Sequence, residues 1–554
     1  MSVPHGFGRR ASLLPFLFLL FLLLFVVHPS WTVLSRSVFV KGVPGLGNLR
    51  ALLERPHLFR IVWQSVLVAG GVALCATALG ACIAVTVFRT RLPLRGLFRA
   101  AAVLPLIIPG FVSSLSFLFL FGRNGLITYK LLKLDLAIYT WKSVFLIQVM
   151  DFATIAFLLV SASLLTMDGR PEDAARTLGA SETEVFRTVT LPLLRPGLLA
   201  SGILVFMRSM ADFGTPLFLG GRFATLASAS YSQLIGSYNL EMASAMNTLL
   251  LLICLVAFLL FRRAQAAGER TRQTAERPPE PFAFPRPLAA LLWGASALFS
   301  AFVLMILGSV LLAAFTRHLG ANFDLTALHF QNAFLRGWRG MLNTLLFASS
   351  AALLASLGGM TAAWFVVRRP GAASRALDLL ATAPFAIPGT FLGVGYILAF
   401  NQPPIMLAGT WALVLILTVV RELPLGLRSG VSVLSRQDGS AEDAAATLGD
   451  GAFGAFFRIV LPLARPAMIA TALHAFVATV QTVGALIFIV SPGTKLLSVD
   501  VFEAVYKGEI GTAAALSVVM LSLSAAGMAG ILFLTRKKGA EPWIPRELAS
   551  GRTL

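Results

Sequence analysis

About twelve stretches of this chain are each apolar over the roughly 20 residues a helix needs to cross a bilayer. No other feature narrows the fold as far. In hydrocarbon every backbone N–H and C=O must find a partner within the protein, so spans of this length become helices. Six lie near 11–34, 61–88, 100–121, 143–166, 197–220 and 244–261; six more lie near 288–315, 342–367, 376–400, 409–427, 467–490 and 511–535. Only 13% of residues are charged, against about 25% in a soluble domain. The expectation is an all-α membrane protein. The formal charge of +20 does not indicate a nucleic-acid partner, because Lys and Arg sit in short clusters between the spans, where membrane proteins carry them. Cys75, Cys82 and Cys254 all fall inside spans, without a CxxC pair, and read as small buried hydrophobes. Arg9 and Arg10 precede the first apolar run, but no small-x-small cleavage site follows it. The run is expected to stay as a first membrane helix rather than a removed signal.

Lys and Arg also set the orientation. With the N-terminus in the cytoplasm and sides alternating, most of the 45 Lys and Arg fall inside, among them Arg89, Arg91, Arg95, Arg99, Arg262, Arg263, Arg368 and Arg369. Both termini are then cytoplasmic. The stretch 262–287, RRAQAAGERTRQTAERPPEPFAFPRP, is charged and proline-rich, the composition of a linker.

The two sets of six spans repeat one another. QSVLVAGGVALCATALGACIAVTVFRTR, from Gln64, parallels NTLLFASSAALLASLGGMTAAWFVVRR, from Asn343, and LPLIIPG parallels APFAIPG. The offset shrinks between the third and fourth spans, where the first half carries the additional GRNGLITYK. A duplicated six-span unit enters the membrane twice with the same orientation, which gives parallel repeats. The domains expected are a first repeat at 1–261, a linker at 262–287, a second repeat at 288–538 and a cytoplasmic tail at 539–554.

Between the fourth and fifth spans each repeat carries the same polar stretch. The first reads EDAARTLGASETEVFRTVTLPLLRP from Glu172; the second reads EDAAATLGDGAFGAFFRIVLPLARP from Glu442. Glu172-Asp173 and Glu442-Asp443 suit the positive end of a helix. Ala174-Ala175 and Ala444-Ala445 favour helix and leave room for a close neighbour. Gly179 and Gly449 are expected to end that helix or bend it. A second short helix should follow and be broken at Pro192 and Pro196, or Pro462 and Pro466, before the next span.

This pattern resembles the EAA motif of the inner-membrane permeases of binding-protein-dependent ABC importers: E-A-A, three residues, G, nine residues, I-x-L-P. It stands here as Asp173-Ala174-Ala175, Gly179 and Val189-Thr190-Leu191-Pro192, and as Asp443-Ala444-Ala445, Gly449 and Ile459-Val460-Leu461-Pro462. Both copies put Asp where the family has Glu, with Glu one position earlier, which leaves open which carboxylate serves the family's contact. The resemblance covers about 55–265 and 335–538. It implies that each loop is a coupling helix docking into a groove on one ATP-binding cassette ATPase subunit, two subunits in all, with a periplasmic binding protein delivering substrate. The chain itself has no G-x-x-x-x-G-K-[ST] and no Gly-Lys pair, so ATP hydrolysis by a P-loop belongs to a partner.

ELPLGLRSGVSVLSRQDGSAEDAAATLG, from Glu422, and TVGALIFIVSPGTKLLSVDVFEAVYKGEIGTAAALSVVML, from Thr482, are similar to ferric-iron permeases, as are FGRNGLIT and ADFGTPLFLGGRFATLASASYSQ in the first half. Permeases for thiamine, 2-aminoethylphosphonate and polyamines share much of the architecture. A gradient-driven secondary transporter with parallel repeats would also have twelve spans, but it leaves the matched loops unexplained. No resident metal site or cofactor is expected, since the six histidines show no ligand spacing. Charged and polar residues inside spans mark a path, and the candidates are Asp151, Arg208, Asp212, His474 and Gln481. Arg208 and Asp212 stand four apart, on one helix face. Pro105, Pro109, Pro384 and Pro388 should kink the third span of each repeat.

Overall fold

The protein is seen here as a computed structural model. It describes residues 9–40, 42–122, 125–134, 137–271, 279–318 and 322–536; the expected tail at 539–554 lies outside them. Among the described residues nine helices are long and apolar enough to cross a membrane, and up to eleven if each of two bent pairs is one span. The remaining expected span, near 409–427, forms the helix Trp411–Leu434, whose apolar run is interrupted by Arg421 and Glu422. The only strands described form three two-stranded hairpins in connecting loops.

Proline sets the shape of the third span in both repeats. The helix Arg95–Val103 gives way at Leu104–Leu106 and resumes as Gly110–Phe121. Its counterpart Ala372–Thr382 resumes as Gly389–Phe400 after a bend of 109°. Pro109 and Pro388 each stand in extended conformation just before the new helix, where a missing N–H is harmless.

The fifth span corrects one expectation. In the first half the chain runs as a single span, Glu182–Ala211, straight through Pro192 and Pro196. A widened turn at Phe186–Thr190, in which the Leu191 N–H reaches the Phe186 carbonyl, precedes the prolines. Widening moves the upstream carbonyls out of the proline ring's way, so no break is needed. The second half has the same wide turn at Phe456–Val460, yet it does break, at Ala464, and bends by 75°.

The chain divides into two compact units. One consists of Met1–Ser35, Asn332–Glu503 and Val519–Leu554, the other of Arg36–Gln331 and Ala504–Val518. The first span of each repeat is therefore built into the unit that holds most of the other repeat. Within the first of these units the Tyr396 hydroxyl donates to the Phe25 carbonyl at 2.7 Å, and the Phe25 and Phe400 rings lie 5.5 Å apart. Within the second unit the helix Arg286–Phe315 packs on Pro56–Arg89, with Thr86 donating to the Leu292 carbonyl at 3.2 Å. The expected linker is only partly irregular: the helix Leu240–Thr271 covers its first part, and 272–278 lies outside the described residues.

Matched glycines let the second and fourth spans of each repeat approach closely. A Cβ on Gly80 would stand 2.6 Å from the Phe157 nitrogen and the Ala156 Cβ. A Cβ on Gly359 would stand 2.5 Å from Gly426 backbone atoms. The offset that pairs Gln64 with Asn343 also pairs Gly80 with Gly359, so the duplication preserved the contact. Close approach of this kind drives helix association where lipid removes the hydrophobic force. Gly80→Val and Gly359→Val should each destabilise the protein by about 1–3 kcal/mol through overpacking. The check is the thermal midpoint in detergent; a midpoint unchanged in either variant would contradict the packing.

Candidate functional site

The two EDAA stretches form the same local structure. In the first, the helix Arg170–Thr177 carries Glu172 and Asp173 in its first turn, where carboxylates meet the positive end of the dipole. It closes on Gly179 at φ +89°, with the Gly179 N–H on the Arg176 carbonyl at 2.9 Å and the Ala180 N–H on the Ala175 carbonyl at 3.1 Å. In the second, Ser440–Thr447 closes on Gly449 at φ +86°, with Gly449 on Ala446 at 3.0 Å and Asp450 on Ala445 at 2.9 Å. This paired closure requires a left-handed residue, which is why glycine stands at both places. Beyond the turn the copies differ. Ser181 and Glu184 form a reciprocal cap on the next short helix, Glu182–Val185, whereas Gly451 stands before Ala452–Ala455 without one.

Glu172 and Glu442 face inward. Glu172 is fully buried; it pairs with the buried Arg89 at the last turn of Pro56–Arg89 and accepts the Thr190 hydroxyl at 2.7 Å. Glu442 pairs with Arg368, at the last turn of Leu328–Arg368, at 2.8 Å and accepts the Trp364 indole N–H at 2.9 Å. Arg368 also donates to the Gln437 carbonyl at 3.0 Å. Each glutamate thus fastens its loop to the second span of its own repeat. Asp173 is half-buried and held by Arg176 at 3.2 Å, while Asp443 is exposed. In each loop the aspartate is more exposed than the glutamate before it.

Sequence reasoning used Arg89 and Arg368 only as orientation charges and missed their pairing. It also missed Leu178 and Leu448. These are 88% and 89% exposed, each directly before the closing glycine. The available signal was the Leu-Gly pair common to both copies. In each copy the leucine is held outward on the tight turn. Ala174 and Ala444 are exposed beside it, Ala175 and Ala445 are half-buried, and open space surrounds Gly179 and Gly449. Pro192 and Pro462 follow the wide turns that lead into the fifth span.

Of the polar residues expected inside spans, some are brought together. Gln148 donates to Asp212 at 2.8 Å and accepts the Ser209 hydroxyl at 2.7 Å. The other Asp212 oxygen accepts the N–H groups of Gly214 and Thr215 at 3.1 and 3.3 Å, turning the chain after Leu191–Ala211. Asp151 lines a small pocket with Pro105, Ile108, Ser113 and Phe302. In the second half His474, half-exposed, lies 3.5 Å from the buried Glu422 carboxylate. Arg208 is exposed, and Gln481 closes the helix Arg465–Gln481. Among the described residues no three His, Cys, Asp or Glu side chains converge as metal ligands.

Membrane-length helices broken at matched prolines, with two like-built loops that present the same outward turn, describe a multi-pass transport permease. Residues 76–268 match the family described as binding-protein-dependent transport system inner membrane component. A putative ferric transport system permease protein of Haemophilus influenzae is 30% identical over 507 residues, covering 88% of this chain and 78% of that protein. A ferric transport system permease protein of Actinobacillus pleuropneumoniae is 29% identical over 535 residues, 93% of this chain and 76% of that protein. A putative 2-aminoethylphosphonate transport system permease protein of Salmonella paratyphi A is 29% identical over 247 residues, 43% of this chain and 92% of that protein. The chain belongs to the family of binding-protein-dependent ABC importer permeases. It is a multi-pass component of the inner membrane.

Removing one partner of a buried ion pair costs about 3–5 kcal/mol, because the other charge is left without compensation. Arg89 and Glu172 are 2% and 0% exposed at the side chain, against 19% and 17% for Arg368 and Glu442. Glu172→Ala should therefore lower the thermal midpoint of the purified chain clearly more than Glu442→Ala. Equal losses would show that burial does not set the difference.

Proposed function

We propose that this chain is the fused translocating subunit of an ATP-driven importer of ferric iron. The observation that carries the substrate is the reach of the ferric relatives: they align over 88% and 93% of this chain, through both repeats, while the aminoethylphosphonate relative matches 43% of it. That shorter relative is almost wholly covered, which supports reading 1–261 and 288–538 as two fused permease units joined at 262–287. A periplasmic binding protein delivers the cargo, and ATP hydrolysis takes place in a separate ATPase.

The partner count follows from the duplication. Two ATPase subunits dock on two loops, one at Leu178-Gly179 and one at Leu448-Gly449. Both loops, both termini and the tail are cytoplasmic. When the ATPases close on ATP, each loop moves with its subunit. The Glu172–Arg89 and Glu442–Arg368 pairs carry that movement to the second span of the same repeat. The broken third spans and the polar groups beside them line the path. Ferric iron is a hard cation that prefers oxygen ligands. Asp151, Asp212 and Gln148 offer oxygens in the first repeat, while Arg208, His474 and Gln481 add polar character elsewhere along it.

Two outcomes are expected. Iron-starved cells lacking the gene should lose uptake of radiolabelled Fe³⁺ while keeping thiamine and 2-aminoethylphosphonate uptake. Intact iron uptake with loss of another substrate would keep the permease and remove iron as its cargo. Leu178→Ser with Leu448→Ser should leave the fold unchanged, since both side chains are exposed, and should cut transport at least roughly tenfold, the loss expected on truncating a central interface anchor. Full transport by that double variant would place docking elsewhere.

A further inference from the structure

The first docking loop is held in part by the end of the linker. After the sixth span the chain returns across the end of the second span, and the Phe282 N–H donates to the Arg89 carbonyl at 2.6 Å. The Phe282 ring is buried and lies 4.6 Å from the Arg89 guanidinium carbon. The same ring lies 5.4 Å from the guanidinium of Arg176, on the outward side of the loop. Phe282 stacks on Phe284 at 5.0 Å, and the edge of Phe186, at the start of the wide turn, meets both, at 5.7 and 5.4 Å. The Nε and Nη1 of Arg89 make no hydrogen bond among the described residues. Glu172, the Glu280 carbonyl at 3.4 Å and the face of Phe282 compensate this buried cation.

Among the described residues of the second repeat, the ring beside the anchor is Trp364, on the second span itself, which packs on Phe456 at 5.0 Å and bonds Glu442. Ala446 stands where Arg176 stands in the first copy.

From this we infer that Phe282 and Phe284 are positioning residues for the first docking loop. The linker serves as a strap that sets how firmly that loop is presented to its ATPase. The inference rests on the docking role proposed above and adds to it the aromatic residues that hold the loop in place.

Cross-linking can test it in the assembled transporter. A photo-reactive phenylalanine derivative is placed at Thr177 or at Thr447, both exposed and each one position before the leucine. Its yield of adduct with the ATPase is measured in the parent chain and in Phe282→Leu, which keeps an apolar side chain and removes the ring. Adduct from position 177 should fall roughly tenfold or more, the loss that a desolvated cation–π contact gives, with adduct from 447 unchanged. Phe282→Trp should restore it. Equal loss at both positions, or no loss at either, would overturn the strap. Absence of ATPase adduct at both positions in the parent chain would instead remove the docking reading on which it rests.

Discussion

Each loop between the fourth and fifth spans is fastened by the same kind of contact: an arginine in the last turn of the second span paired with the loop's first glutamate. A loop of two short helices has too few internal hydrogen bonds to hold its place on a bundle. A charge pair removed from water fixes it, because separation would leave each ion unsolvated. The second span is also the helix that the fourth span approaches through Gly80 or Gly359. The loop's anchor therefore stands on the same helix as this close glycine contact in each repeat.

The two copies of this contact reach similar results by different chemistry. In the first repeat the pair is almost wholly buried and completed by Thr190 and by an aromatic ring from the linker. In the second it is partly exposed and completed by an indole N–H and backbone carbonyls. What remained the same after duplication is narrow: the arginine, the glutamate, the small residues, the outward leucine and the left-handed glycine. Most of the supporting shell diverged. Such a division is expected where one surface meets two copies of the same partner while each anchor needs only to satisfy its own buried charge.

Much of this was legible in the sequence because its signals are periodic or duplicated. Span lengths, the parallel repeat, the helix ends at Gly179 and Gly449 and the broken third spans all follow from local rules that act within a few residues. The anchors were not legible, because Arg89 and Glu172 are 83 positions apart and nothing local joins them. Arg89 looked like one more positive charge at a membrane boundary. Glu172 and Asp173 looked interchangeable until the helix placed one inward and the other outward. Pro192 and Pro196 misled for a related reason. Proline's effect on a helix depends on the turn before it, and the wide turn at Phe186–Thr190 leaves no mark in composition.

The same reasoning bears on why the first and second fifth spans differ although their wide turns match. Continuity through Pro196 in the first half leaves loop and span as one rod, Glu182–Ala211. The break at Ala464 leaves the second loop joined to its span through a bend of 75°. A rod passes rotation along its length, while a bend converts it into tilt. The same displacement applied at the two loops would therefore reach the two fifth spans in different forms.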